Sequence, residues 1–295
     1  MKGLYEKHNK MQGHTVMSSA SQVIVVTGST RGIGLGLARE FLRGGHKVVI
    51  TGRSQQSVDR ALAQLSPADH VLGRPCDVRS RADLQQLWDA AVARFGRVDV
   101  WINNAALAPN HQLLAEIPGD EIAATVDTNL TGTIYGSQVA LKGMLAQGSG
   151  KIYTFEGFGS DGMTNPGLTI YGATKCAIRY FTRSLVKEYA DSPVLIGSMS
   201  PGMVPTDLLI YSSKAEDPAK WAKSKRIMNT LGDKVETVTP WLAEQALANN
   251  EHGRSIAWLT RGKAIKRFIL PSYRKRNIVD EYEQSLDHEP TPGIK

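Results

Sequence analysis

A chain of 295 residues, 41% hydrophobic and 21% charged, has room for one large α/β domain or two small ones and is too apolar for an intrinsically disordered protein. The seven histidines and two cysteines, Cys76 and Cys176, make neither metal-type spacing nor a disulfide framework, so no metal is expected and both cysteines read as small core residues in a reducing compartment. The formal charge of +7 is uneven: Arg254 to Arg276 carries eight Lys or Arg and no acid, whereas Asn277 to Lys295 carries five acids and one Lys.

With only Trp258, Phe268 and Tyr273 interleaved, that basic stretch lacks the makings of a nucleic-acid module. Lys263-Ala-Ile-Lys-Arg-Phe-Ile-Leu270 reads as a solvated structural helix or as an amphipathic helix in peripheral contact with an anionic membrane. No apolar run approaches the roughly 18 to 20 residues of a membrane span, and the first residues lack the apolar core of a secretory signal. The expected location is the cytoplasm, or the plastid stroma in a plant or alga. Residues 1–21 are expected to be a disordered extension, with Met17 as an alternative start.

From Val23 to about Pro201, short apolar runs alternate with amphipathic stretches, the pattern of βαβ units and of a parallel sheet covered on both faces. Strands are predicted at Val23–Thr27, Lys47–Thr51, His70–Cys76, Val98–Asn103, Lys151–Phe155 and Val194–Ser200. Helices are predicted at Gly34–Arg43, Ser57–Gln64, Arg81–Phe95, Asp120–Gln147 and Thr174–Tyr189. From Gly202 the alternation fails, and residues 203–250 read as a substrate lid in which Met203, Leu208, Leu209, Ile210, Tyr211, Trp221, Met228 and Trp241 would form either an apolar wall or a core. Residues 22–276 form the predicted domain and 277–295 an acidic, flexible tail.

After the first strand comes Thr27-Gly-Ser-Thr-Arg-Gly-Ile-Gly34, glycines where strand turns into helix. There the backbone must bend sharply and let a pyrophosphate approach the exposed N–H groups of a helix N-terminus. About 20 residues on, an NAD enzyme places an acid on the adenosine ribose; this chain reads Val48-Val-Ile-Thr-Gly-Arg-Ser54. Nothing there repels a 2′-phosphate, and Arg53, with Arg31 and Ser54, offers donors for one, so the expected cofactor is NADP(H). Cys76-Asp77-Val78 and Asn103-Asn-Ala-Ala106 end the third and fourth strands at the carboxyl edge, where such sheets bind ligands. Asp77 is a candidate adenine contact; Asn103 reads equally as a cap or a site residue. Tyr171-Gly-Ala-Thr-Lys175 sets a phenol and an ammonium on one helix face, where a fixed cation would favour the phenolate and make the group a usable acid or base.

The glycine turn, Asp77, the Asn-Asn-Ala element, Asn129, Tyr171/Lys175 and Ser200-Pro-Gly202, in this order, resemble the short-chain dehydrogenase/reductase family over roughly Val23 to Thr206. The resemblance implies a single Rossmann-like, doubly wound, three-layer α/β/α domain, with Tyr171 as proton donor or acceptor, Lys175 on the nicotinamide ribose and Asn129 on a relay water. It also implies a cofactor site of Gly28, Ser29, Thr30, Arg31, Gly32, Ile33 and Gly34, then Arg53, Ser54, Asp77, Val78, Asn104, Ala105 and Ala106. Pro201, Gly202, Val204 and Thr206 complete it beside Tyr171 and Lys175. Pairing into a homodimer or homotetramer, through the helices 120–147 and 174–189, is implied too.

One departure stands out. Such families carry a Ser a little over a dozen residues before the Tyr, but here Glu156 and Gly157 fill that place, and Ser160 is either its substitute or a plain loop residue. The acid-Gly-x-Gly-Ser element, Tyr171 to Cys176, Ser200 to Leu209 and Ile256-Ala-Trp-Leu-Thr260 look like the chlorophyll b reductase branch, which reduces a 7-formyl group to hydroxymethyl. The expectation is an NADPH-dependent reductase of chlorophyll(ide) b or a similar bulky aromatic aldehyde. The alternatives are a reductase or dehydrogenase for another hydrophobic carbonyl or alcohol, and an NADP(H)-binding scaffold without turnover.

Overall fold

The structure, a computed structural model, describes residues 20–109, 111–214 and 218–286, with the side chains of 211–214 and 286 outside that description. The predicted extension over 1–19 and the tail beyond 286 therefore lie outside the described residues.

Seven parallel strands build one sheet: β1 (Val23–Val26), β2 (Lys47–Gly52), β3 (Val71–Pro75), β4 (Val100–Asn103), β5 (Gly150–Phe155), β6 (Val194–Ser200) and β7 (Ser255–Ala257). Their order is β3-β2-β1-β4-β5-β6-β7, so the winding reverses between β1 and β4 and opens a crevice at their carboxyl ends. The continuous apolar run of β1 follows from burial on both faces: all four residues are buried, each contributing about 1.5–3 kcal/mol relative to exposure. In register, Val25 sits beside Val49 on one side and Trp101 on the other.

Helices cover both faces. On one side α1 (Gly32–Arg43) packs with α9 (Val235–Ala248), burying Leu37, Phe41, Val238 and Leu242 against the sheet. On the other, α3 (Arg81–Phe95), α5 (Gly132–Gln147) and α6 (Thr169–Glu188) cover Val25, Val49 and Trp101. Short α2 (Gln55–Leu62) and α4 (Gly119–Val126) complete the layers.

Several expectations are corrected. The single helix predicted over 120–147 is interrupted by a π-type turn at Asp127–Thr131 between α4 and α5, with Thr133 Oγ1 donating to the Asn129 carbonyl at 2.6 Å. α6 starts five residues before the predicted Thr174, because a chain leaving the loop at Leu168 can already donate from Gly172 to its carbonyl. The lid is shorter than 203–250: α7 (Asp207–Lys214) and α8 (Pro218–Leu231) form the excursion, while α9 belongs to the main core and β7 adds the seventh strand. Ile210 and Met228 are buried with Ile278 and Val279 in a satellite core, Trp241 stacks edge-on with Trp258 at 5.5 Å, and Tyr211 lies outside the described side chains.

The supposed flexible tail is helical as far as Leu286: α12 (Ile278–Leu286) lies on α8 with Val279 fully buried and Lys225 bonded to Asp280 and Glu283. Two more helices, α10 (Arg261–Ile269) and α11 (Pro271–Arg274), also pack on α8. Cys76 is buried as expected, but Cys176 is exposed on α6.

Candidate active site

The turn between β1 and α1 needs glycine for two separate reasons. Gly28 has φ of +62°, and a Cβ there would meet the Ala105 Cα at 2.7 Å, so the first and fourth loops touch backbone to backbone. Asn104 holds them together, donating from Nδ2 to the carbonyls of Thr27 (2.9 Å) and Gly28 (3.0 Å), while Thr27 Oγ1 accepts the amides of Asn104 and Ala105. Asn103 is a structural residue: buried, it accepts from Trp101 Nε1 and donates to Ser137 Oγ. Ser29 is also fully buried, bridging β1 and β2 by donating to Val26 and accepting from Thr51, instead of facing a ligand.

A cavity of about 190 Å³ opens here, lined by Gly28, Thr30 to Gly34, Arg53, Asp77, Val78 and Asn104 to Ala106. Most of the predicted cofactor residues thus share one wall. Ser54 does not line it: its hydroxyl caps α2 by accepting from the Ser57 amide. Of the last group only Thr206 lines the cavity: Pro201 and Val204 are buried, Gly202 is exposed, and neither Tyr171 nor Lys175 is among the lining residues. No acid stands in the first turn of α1, whose leading residues Gly32 to Gly34 line the cavity. Asp77 is forked by Arg79 at 2.6–3.0 Å, and these hydrogen bonds hold its carboxyl below the usual range.

The sequence reading missed Asp207. Its carboxylate reaches Arg31 at 3.1 Å and accepts from Tyr282 of α12 at 2.8 Å, so Arg31 is tied across the cavity mouth and Arg53 stands on the β2 side without it. Separations of 176 and 75 residues hid both pairings, and only the acid in Pro-Thr-Asp207 gave a signal. Leu107 and Thr128 were missed likewise as lining residues, whereas Leu208, expected in an apolar wall, does line the cavity.

At the end of β5 the second cluster forms. Asn129, fully buried in the π-type turn, accepts from the Leu107 amide at 2.7 Å and donates to the Leu107 carbonyl and Thr174 Oγ1. Thr174 in turn donates to the Tyr171 carbonyl at 2.7 Å, so the turn and the start of α6 are locked together. Tyr171 and Lys175 lie one helical turn apart, with the ammonium 5.6 Å from the ring centroid and donating to the Phe155 carbonyl at 3.0 Å. Gly157 faces both: a Cβ there would lie 2.6 Å from the Tyr171 hydroxyl and 3.3 Å from Lys175 Cε.

Burial dominates the electrostatics. It pushes the Tyr171 phenol up to about 12, with no lowering from Lys175, and pushes Lys175 down to about 8 against the opposing charge of Glu156. Ser160 Oγ is turned into its own loop, accepting from the Gly157 amide at 3.0 Å and donating to the Lys175 carbonyl at 3.3 Å.

Comparison with known proteins agrees with this arrangement. The family model described as short chain dehydrogenase matches residues 22–217. The chain belongs to the short-chain dehydrogenase family. A probable chlorophyll(ide) b reductase of Arabidopsis thaliana, NYC1, is 33% identical over 282 residues, covering 89% of this chain and 55% of that protein. Chlorophyll(ide) b reductase NOL of the same plant is 34% identical over 273 residues, covering 88% and 77%. This chain spans about half the length of NYC1, and both relatives' names mark them as chloroplastic. A 3-ketoacyl-(acyl-carrier-protein) reductase of Brucella melitensis complexed with NADH has the same fold, with a TM-score of 0.72 at 23% identity over 82% of this chain and 98% of that one. Among the described residues, no helix is long and apolar enough to cross a membrane.

Proposed function

We propose that this protein is an NADPH-dependent carbonyl reductase acting on the formyl group of chlorophyll(ide) b or a similarly bulky aromatic aldehyde. The observation that carries the chemistry is the Tyr171 hydroxyl set against Gly157, one helical turn from Lys175. The substrate class rests on the two chlorophyll(ide) b reductase relatives, and Leu208, from the excursion, gives the cavity an apolar rim.

The residues present fit a nicotinamide dinucleotide: the glycines of the bend line the cavity, and the acid-free start of α1 adjoins it. The glycine turn would hold the pyrophosphate, Arg53 the 2′-phosphate and Lys175 the nicotinamide ribose. When bound, the nicotinamide supplies the hydride. Tyr171 gives its proton to the carbonyl oxygen, completing the alcohol. Lys175 is fixed by Phe155 and Asn129 fixes the start of α6, so both groups are oriented before substrate arrives.

The test is anaerobic incubation of chlorophyllide b with NADPH. An absorption shift to the hydroxymethyl product supports the reading. No shift, in protein that still binds NADPH, transfers the activity to another bulky hydrophobic carbonyl. Arg53→Ala is expected to weaken NADPH binding about 10- to 100-fold, the loss of one charge-assisted phosphate contact, and to leave NADH binding nearly unchanged in fluorescence titrations.

A pH dependence follows from Lys175. Its pKa is depressed to about 8, so the ammonium is lost as pH rises through that value, and kcat/KM for reduction is expected to fall above it. A pH profile with no descending limb between about 7 and 10 contradicts this assignment.

A further inference from the structure

α10 is turned inside out. Its apolar residues Ile265, Phe268 and Ile269 recur at the spacing of one helical face, which in a surface helix normally packs inward. Here they are 61%, 46% and 69% exposed, and the one fully buried residue of the helix is Arg267, at 3%. Leu270, just past the helix, extends the exposed apolar edge.

The inversion is fixed from beneath. Arg267 pairs with Asp233 at 2.5 Å, donates to the Leu231 carbonyl at 2.6 Å and lies over the Tyr273 ring at 5.2 Å. Asp233 also accepts from Trp258 Nε1 and from Arg276, so the carboxylate that orients α10 is held by three donors. A buried carboxylate with two guanidiniums cannot rotate out without stranding charge, which keeps the apolar stripe facing outward.

What the stripe faces is set by charge. Arg261 and Lys266 flank it on the helix, Arg274 and Lys275 follow on the next turns, all exposed, and no acid occurs from Arg254 to Arg276. A second copy of this face would bring cations against cations.

We propose that α10, with the start of α11, docks this protein on an anionic lipid surface, the stripe entering the headgroup region and the cations lying among lipid phosphates. The inference is independent of the substrate. Lipid contact is one of the two sequence readings of this segment, and the outward stripe and the buried arginine favour it.

The test is sedimentation of the full chain with vesicles of phosphatidylcholine alone and of phosphatidylcholine mixed with phosphatidylglycerol. The expected result is binding to the mixed vesicles that weakens with added salt, and little binding to the neutral ones. Lys266→Gln should weaken binding about fivefold, as for one cation near a charged surface. Phe268→Asp with Ile269→Asp should abolish it, with melting temperature and NADPH binding retained, since neither side chain is buried. Absence of parental binding at low salt overturns the proposal, as does unchanged binding by the double variant. A fall in oligomer mass caused by the double variant without vesicles also overturns it, assigning the face to contact between copies.

Discussion

Tyr171→Phe is expected to lower carbonyl reduction by about 10²- to 10⁴-fold, the range attributed to one positioned general acid, while NADPH binding and melting temperature stay near the parent's. The asymmetry comes from what the hydroxyl touches. The hydroxyl lies beside Gly157, and the ring, which sits under the Lys175 ammonium, is kept by Phe. Removing a hydroxyl whose ionisation burial already opposes costs the fold little. The measurement is single-turnover oxidation of NADPH by the best carbonyl substrate, alongside a cofactor titration. If the variant turns over at the parental rate, Tyr171 is not the proton donor. If it also fails to bind NADPH, the hydroxyl instead orders the ribose side of the site.

The parts of this site whose determinants are close neighbours along the chain are legible in the sequence. The glycine turn between strand and helix, the acid-free end of β2 and the four-residue spacing of Tyr171 and Lys175 each depend on residues within a few positions, and in the structure they stand where the spacing implies. The parallel sheet is legible for the same reason: strands buried on both faces read as unbroken apolar runs, as in β1 and β2. Strand β7 is not, because its burial is partial and its three residues carry no run, pairing among the described residues with β6 alone.

The remainder is hidden by distance or by competition between forces. Arg31 reads as available for a phosphate, but Asp207, held by Tyr282, is its partner. The π-type turn at Asn129 interrupts a sequence whose period predicts one helix, because the Asn129 amide is engaged by the Leu107 backbone and by Thr174. α10 is legible as an amphipathic helix, but the anchor that sets its facing is not: Arg267 is buried on Asp233, 34 residues away in the chain, while Ile265, Phe268 and Ile269 stay exposed.

Gly157→Ser, which installs the residue the family pattern leads one to expect, is predicted to reduce activity about 100-fold. A Cβ at this position falls 2.6 Å from the Tyr171 hydroxyl, well inside contact distance, and 3.3 Å from two carbons of Lys175. The glycine cannot retreat easily, because its amide is bound by Ser160 Oγ and the preceding residue, Glu156, donates to the Met199 carbonyl. The phenol must therefore move. A displacement of about 1 Å in a group that meets the substrate costs on the order of 100-fold in rate, and overpacking should also lower stability by about 1–3 kcal/mol. Gly157→Ala separates the two components of the change. If Ala and Ser impair kcat alike, the obstacle is the Cβ, and the site has been rebuilt around a glycine that lets the Tyr171 hydroxyl occupy the space of the missing side chain. If Ser retains the activity that Ala loses, a hydroxyl at 157 can still bind the carbonyl oxygen, and the glycine is a loss the enzyme tolerates.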